Sequence, residues 1–257
     1  MPTNKIWKLK TPSLPPHASG WGAGPTPSQL ARETGLTSLQ AQLLINRGIS
    51  DAESVHSFIH PQLANMADPM MMKGMNEALA TVLKSIENRE KVTIYGDYDA
   101  DGLTATALLF NFFSSIDVPV SCYIPNRLKE GYGLNRKAIE KIARCGTGLM
   151  ITVDCGISNR EEISFARSLS MKVVVTDHHQ VPKGFQANCP VINPHQGTCP
   201  FPFKDLAGVG LAFFLAVAVR ACLRERGWFE SKPEPDLKEY LDLVALGTVA
   251  DRVPLLG

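Results

Sequence analysis

From residue 91 onward, short apolar and β-branched runs alternate with segments whose apolar residues recur every three or four positions. This pattern predicts strands at 91–95, 118–124, 148–153, 172–176 and 190–193, and helices at 103–114, 135–144 and 159–170. Few folds accept such an alternation. Parallel strands cannot be joined by tight turns, so each connection needs a crossover, and the crossover helices must cover the faces of the sheet. The expected fold class is therefore α/β, a mainly parallel five-stranded sheet flanked by helices. Two longer helices, 206–225 and 236–250, follow it, separated by a Pro- and charge-rich break.

The region before the sheet reads differently. Residues 1–27 hold six prolines and little periodicity, which predicts an extended lead-in. Short helices are expected at 28–34, 38–47 and 51–59, the last opened by a capping box of Ser50 and Glu53. A second box, Ser158 with Glu161, marks the start of the 159–170 helix. Met70, Met71 and Met72 read as core filler, and 75–88 as an amphipathic helix leading into the first strand. The expected division is a small helical and extended N-terminal appendage, 1–74, and an α/β domain, 75–257.

Composition excludes several classes of function. A net charge of +1 over 257 residues rules out a generally basic nucleic-acid coat, so a polyanion must be held by a local patch or through metal. No apolar stretch reaches the roughly 18 residues of a membrane span, and residues 1–11 lack the apolar core of a signal peptide, which predicts a cytoplasmic protein. The six cysteines form no C-x-x-C pair; Cys189 and Cys199 flank His195 in a Pro-rich loop rather than a metal knuckle, and free thiols are expected.

The segment DYDADG, residues 97–102, places Asp97, Asp99 and Asp101 at every second position. In an extended segment they share one face, with neighbouring side chains within about 7 Å, which calls for a cation. A calcium loop of the helix–loop–helix type would need a bidentate Glu six residues after the glycine, where Leu108 stands, and a helix before it, where Val92-Thr93-Ile94-Tyr95 reads as strand. What remains is strand, acidic turn, helix. Two further strands end in similar groups: Val153 leads to Asp154, and Thr176 to Asp177, His178 and His179. Asp251 follows an apolar helix. In parallel α/β sheets the carboxyl ends of the strands share one edge, where ligands bind, so these groups should converge. Singly, each aspartate has an ordinary reading as a turn or cap residue. Together they form a costly carboxylate cluster with no run of Lys or Arg beside it. Oxygen-rich ligation with one or two imidazoles suits Mn²⁺ or Mg²⁺, and two such ions about 3.5–4 Å apart support phosphoryl hydrolysis.

The ordered motifs YGDYDADG, VDCGISN, VTDHH, NPHQ, LAGVG and ALGTVADRVPL resemble the DHH phosphoesterase superfamily, and within it the exonucleases that degrade single-stranded DNA from the 5′ end. The resemblance covers roughly residues 75–257 and implies a metal-dependent phosphodiesterase of DNA recombination and repair, with two Mn²⁺ or Mg²⁺ ions. It implies Asp99, Asp101, Asp154, His178 and Asp251 as metal ligands, Asp154 bridging. Asp97 and His179 would add ligation, substrate contact or orientation, and Asp177 would position the histidines. Some members carry a histidine four residues before Asp99, where this chain has Tyr95, and Asp97 is the candidate to compensate. The loop PNRLKEGYG resembles the family's substrate loop, with Arg127 as phosphate clamp and Tyr132 as stacking face; Gly208 and Gly210 would face phosphate at a helix start. The implied partners are single-stranded DNA, a single-strand-binding protein and a helicase. Such enzymes continue into a DHH-associated domain and an oligonucleotide-binding domain, so the resemblance implies a fragment or a shortened form. Two other readings remain at this point: a phosphoesterase of pyrophosphate, oligoribonucleotides or cyclic dinucleotides, and a noncatalytic replication-fork scaffold of the same fold.

Overall fold

The computed structural model describes residues 25–186 and 188–255; most of the Pro-rich lead-in lies outside this range. The chain divides into two compact units, Met1–Met66 and Ala67–Gly257.

In the first unit, helices α1 (Pro27–Thr34), α2 (Ser38–Ile45) and α3 (Ala52–Ile59) surround a small core of Leu30, Ala31, Ala41, Leu44 and Val55. Reciprocal capping boxes start the first two: Thr26 with Gln29, and Thr37 with Gln40. The box expected at Ser50 does not form. Asp51 caps α3 instead, its carboxylate accepting from the Ser54 N–H at 2.8 Å, which moves the helix start one residue on.

The second unit is an all-parallel sheet of β1 (Lys91–Tyr95), β2 (Val120–Tyr123), β3 (Thr147–Val153), β4 (Lys172–Thr176) and β5 (Val191–Ile192), in the order β2-β1-β3-β4-β5. Alternate residues of each strand face opposite sides. Tyr95, Met150, Val173 and Val175 pack with Ile139, Ile142, Ile163 and Ala166 from α6 (Arg136–Arg144) and α7 (Arg160–Ser168). The remaining helices of the sheet, α4 (Met75–Glu87), α5 (Ala100–Ser115) and α8 (Gly208–Glu225), pack against its strands, with α4 and α5 each also against α8. Among the described residues, no helix is long and apolar enough to cross a membrane.

Three differences from the sequence pattern bear on function. Helix α5 begins at Ala100 rather than 103 because Asp99 caps it, accepting from the Gly102 N–H at 2.9 Å. Asp101 therefore sits in the first helical turn, and the three aspartates do not share one extended face. The Ser158–Glu161 box is absent: α7 starts after Asn159, whose side chain instead accepts from the Leu134 N–H and donates to Glu162. The expected 236–250 helix is a 3₁₀ turn, Leu237–Tyr240, followed by α9 (Leu241–Ala250), because the Asp236 carboxylate caps the turn at Lys238.

Candidate metal centre

The sheet ladder continues one residue past three strand ends. Gly96 N–H donates to Tyr123 O, Asp154 N–H to Thr176 O, and Asp177 N–H to Ile192 O, at 3.0, 3.0 and 3.1 Å. These bonds fix the segments carrying Asp97, Asp154 and His178 on the carboxyl edge of the sheet. The sequence-distant groups do converge there. One ligand atom each from Asp97, Asp99 and Asp154 lies within 4.8 Å of the others, as do those of Asp101, His178 and Asp251, and those of Asp154, His178 and His179. Asp154 and His178 each belong to two of these sets, so the cluster is continuous.

His178 Nε2 is the pivot. It lies 3.1 Å from Asp154 Oδ1, 3.6 Å from Asp251 Oδ2 and 3.8 Å from Asp101 Oδ2. Yet His178 Nε2, Asp154 Oδ1 and Asp97 Oδ1 are buried without a hydrogen-bond partner of acceptable geometry. Burial raises the carboxyl of Asp154 well above the usual carboxylate range, with Asp101 and Asp99 adding to the rise and His178 opposing it. Burial likewise raises Asp97 and Asp101. Burial works against protonation of His178, but Asp154, Asp101 and Asp251 outweigh it and hold the imidazole well above its ordinary value. Orphaned buried oxygens around an imidazole are the signature of a place that stabilises positive charge. The donor set, five carboxylates and two imidazoles, is that of a hard or borderline divalent cation.

The neighbouring residues hold this cluster in shape. Asp101 Oδ2 and Oδ1 accept from the N–H groups of Gly208 and Val209 at 2.6 and 2.8 Å. The first two N–H groups of α8 are thus engaged by a carboxylate, and a side chain at Gly210, the other glycine picked from the sequence, would meet Leu206 at 3.2 Å. Asp177 accepts from the backbone N–H of His179 at 3.0 Å and of Ile157 at 2.8 Å, and its Oδ1 lies 2.8 Å from His179 Nδ1. Asn193, at the end of β5 and fully buried, donates to His179 O at 2.9 Å. Asn193 was not among the residues picked from the sequence, although its place in NPHQ, just past the last strand, was a visible signal. Gly247 was missed as well. A side chain there would come within 2.4 Å of Thr104 Oγ1 and 2.9 Å of Asp101 Oδ1, so the glycine lets α9 approach closely enough to deliver Asp251.

Arg127 is exposed on the 124–135 loop, its guanidinium 5.3 Å from the centre of the Tyr98 ring, and its charge lowers the neighbouring Asp97 against the effect of burial. Tyr132, about half exposed, donates to Asp154 O at 3.5 Å and reaches to 3.3 Å of His179 Nδ1. Both sequence-selected loop residues therefore border the cluster.

Residues 91–248 match the DHH family, N-terminal domain. The chain belongs to the DHH family. Its similarity extends to the single-stranded-DNA-specific exonuclease RecJ of Bacillus subtilis, 42% identical over 226 residues, and of Escherichia coli, 38% identical over 223. These alignments take in 88% and 86% of this chain but 27% and 38% of the relatives, so the chain spans about a quarter to two fifths of their length. Among solved structures, RecJ of Thermus thermophilus in complex with Mn²⁺ superposes with a TM-score of 0.71 at 28% identity, covering 90% of this chain and 31% of that one. A manganese-bound exonuclease RecJ superposes with a TM-score of 0.62 at 35% identity, over 72% of this chain and 45% of its own. The five-stranded parallel α/β fold of the family is the one observed.

Proposed function

We propose that this chain is the catalytic part of a metal-dependent exonuclease that removes nucleotides from the 5′ end of single-stranded DNA in recombination and repair. The observation that carries the reading is the buried cluster in which Asp154 is shared between Asp97 and Asp99 on one side and His178 on the other. In this reading Asp97, Asp99 and Asp154 would hold one divalent ion, and Asp101, His178 and Asp251 a second. Bound there, Mn²⁺ or Mg²⁺ would supply an activated water and positive charge for the leaving oxygen of a phosphodiester. Asp101 keeps ligating capacity, because each of its oxygens has a second lone pair beyond the N–H group it accepts. Asp177 orients His179 through Nδ1, leaving Nε2 for substrate.

Arg127 would clamp a backbone phosphate near Asp97, and Tyr132 would offer its ring to the terminal base. Gly208, whose missing side chain leaves room beside Asp154 and Asp101, serves the packing of the cluster more than the substrate. Similarity to nucleases named for single-stranded DNA weighs for this substrate over pyrophosphate or a cyclic dinucleotide. The presence of all five aspartates and both histidines of the cluster, with Tyr95 the one departure, weighs against a noncatalytic scaffold. On this reading residues 1–74 would be an N-terminal appendage and 75–257 the catalytic domain, although the compact units divide eight residues earlier, at Met66, and a single-strand-binding protein and a helicase would be the partners.

The decisive experiment is Mn²⁺-dependent digestion of single strands labelled at the 5′ or the 3′ end. Early release of 5′-labelled mononucleotide supports the proposal. Release from the 3′ end first, or turnover of cyclic dinucleotide in preference to a strand, overturns it.

A further inference from the structure

A concavity of about 540 Å³ opens between the first turns of α6 and α7, walled by Arg136, Arg160, Glu161, Ser164 and Phe165. We propose that this concavity is a nucleotide subsite, holding a phosphodiester and its base a few nucleotides away from the one cleaved. The inference rests on the strand-cleaving reading above and extends it to residues outside the metal cluster.

The hollow is shallow and open to solvent, suited to a passing strand rather than to an enclosed small molecule. Its chemistry is that of a single-strand contact: guanidinium for phosphate, an aromatic face for a base. The Arg136 guanidinium already lies over the Phe165 ring, 5.3 Å from its centre. Arg160 is exposed and makes no ion pair among the described residues. The opposing charge is Glu161, 3.8 Å from Arg136, with side chains 84% and 60% exposed. An exposed pair of that length is weak, and a phosphate that takes both guanidinium N–H groups can replace it. Exposed arginines often lie along solvent with no ligand. These two come from different helices, converge on one hollow and share it with an aromatic ring.

Continuity with the metal cluster decides the occupant. Tyr132 touches Asp154 O and His179; two residues later the Leu134 N–H donates to the Asn159 side chain at 3.3 Å. Arg136 and Arg160 immediately flank that contact, on the same rim of the sheet. In this proposal a strand whose end lies over the carboxylates would run past Tyr132 and on to this hollow. It also explains why Asn159 does not cap its own helix: its side chain joins the substrate loop to α7, fixing the hollow relative to the cleavage centre.

The test compares hydrolysis of oligothymidylates of about four and about sixteen nucleotides, a range matching single-strand site sizes, by the unaltered chain and by R136Q/R160Q in Mn²⁺. The unaltered chain should show a lower KM for the longer strand. The double variant should lose most of that advantage, and the salt dependence of its kcat/KM on the long strand should flatten by about 0.7 in slope for each phosphate contact removed. Arg160→Lys, which keeps the charge, should restore part of it. Matching thermal melts exclude misfolding, since both arginines are exposed. An unchanged length dependence and salt slope overturns the inference, as does an equal loss on both lengths, which would place the arginines at the cleavage centre. Failure of the unaltered chain to cleave either strand would take down the exonuclease reading itself, and the subsite with it.

Discussion

Asp154 stands in the left-handed backbone region, φ 60°, directly after β3, with its side chain 2% exposed. Aspartate tolerates that region better than most side chains, but few residues hold it without surrounding support. Here the Asp154 N–H to Thr176 O bond supplies it. The turn aims the carboxylate at His178 rather than at solvent. Asp154→Asn keeps the shape and removes the charge, so hydrolysis should fall by more than about a hundredfold, with folding retained. Calorimetric titration with Mn²⁺ should show at least a tenfold loss of affinity; unchanged affinity with full turnover would sink a shared carboxylate. Arg127 belongs to a different kind of contact. Arg127→Ala should weaken binding of all single strands alike and reduce the salt slope by about 0.7, the value for one phosphate on a single strand. Anisotropy titrations at several salt concentrations read this directly.

At the scale of elements, α9 is an apolar helix in which Gly247 is the buried residue, and its seat depends on that glycine. Gly247→Ala forces a methyl group against Thr104, Val209 and Asp101. Overpacking of this sort costs about 1–3 kcal/mol, which urea denaturation measures. Because α9 ends at Asp251, the same variant should also weaken Mn²⁺ binding, whereas a purely global loss of stability would leave the affinity of the folded fraction intact. A second element-level contact ties the sheet's amino edge. Lys172, first in β4, donates to both oxygens of Glu90 at 2.6 and 2.7 Å, next to β1. Burial works to raise the Glu90 carboxyl, but the bonds from Lys172 and Asn88 outweigh it and hold it below its ordinary 4.5. A carboxyl lowered on folding contributes stability that is present above its unfolded value and lost as pH falls through the folded one. The partly exposed pair contributes about 1 kcal/mol near neutrality. Lys172→Met should therefore be less stable than the parent at pH 7, with the difference shrinking as pH falls below 4.5, judged by denaturation midpoints across that range.

For the whole molecule, the cluster is a local concentration of buried like charge, relieved in the folded state by positive charge. A divalent ion binding the folded chain alone stabilises it by about 2.7 kcal/mol at a hundred times its dissociation constant. For a domain of this size that corresponds to a rise of about 5–10 °C in Tm. Mn²⁺ should produce such a rise, chelator should reverse it, and Asp154→Asn should blunt it; an Mn²⁺-insensitive melt would argue that the cluster holds no ion in the folded chain.

Much of this architecture was already written in the order of residues. The runs at 91–95, 148–153 and 172–176 marked the strands, because a β-branched segment bounded by helical periodicity has one way to bury both faces. The position of Asp97, Asp154 and His178 just past strand ends followed, since parallel strands share a carboxyl edge. What the sequence left open depends on side chains competing for the same hydrogen bonds. Asp51 displaced Ser50 as a cap because an ionised carboxylate one residue later reached the same turn. Asn159 left the cap of its own helix unmade, its side-chain oxygen accepting instead from Leu134, a residue 25 positions away. Asp99 and Asp101 were parted when α5 began early, sending one toward Asp97 and the other toward His178 and Asp251. The need for Gly247 arose only once α9 lay against α5 and α8. Periodicity records which face of an element is buried. The distance of closest approach between elements far apart in the chain is set by packing, and that decided which carboxylates meet.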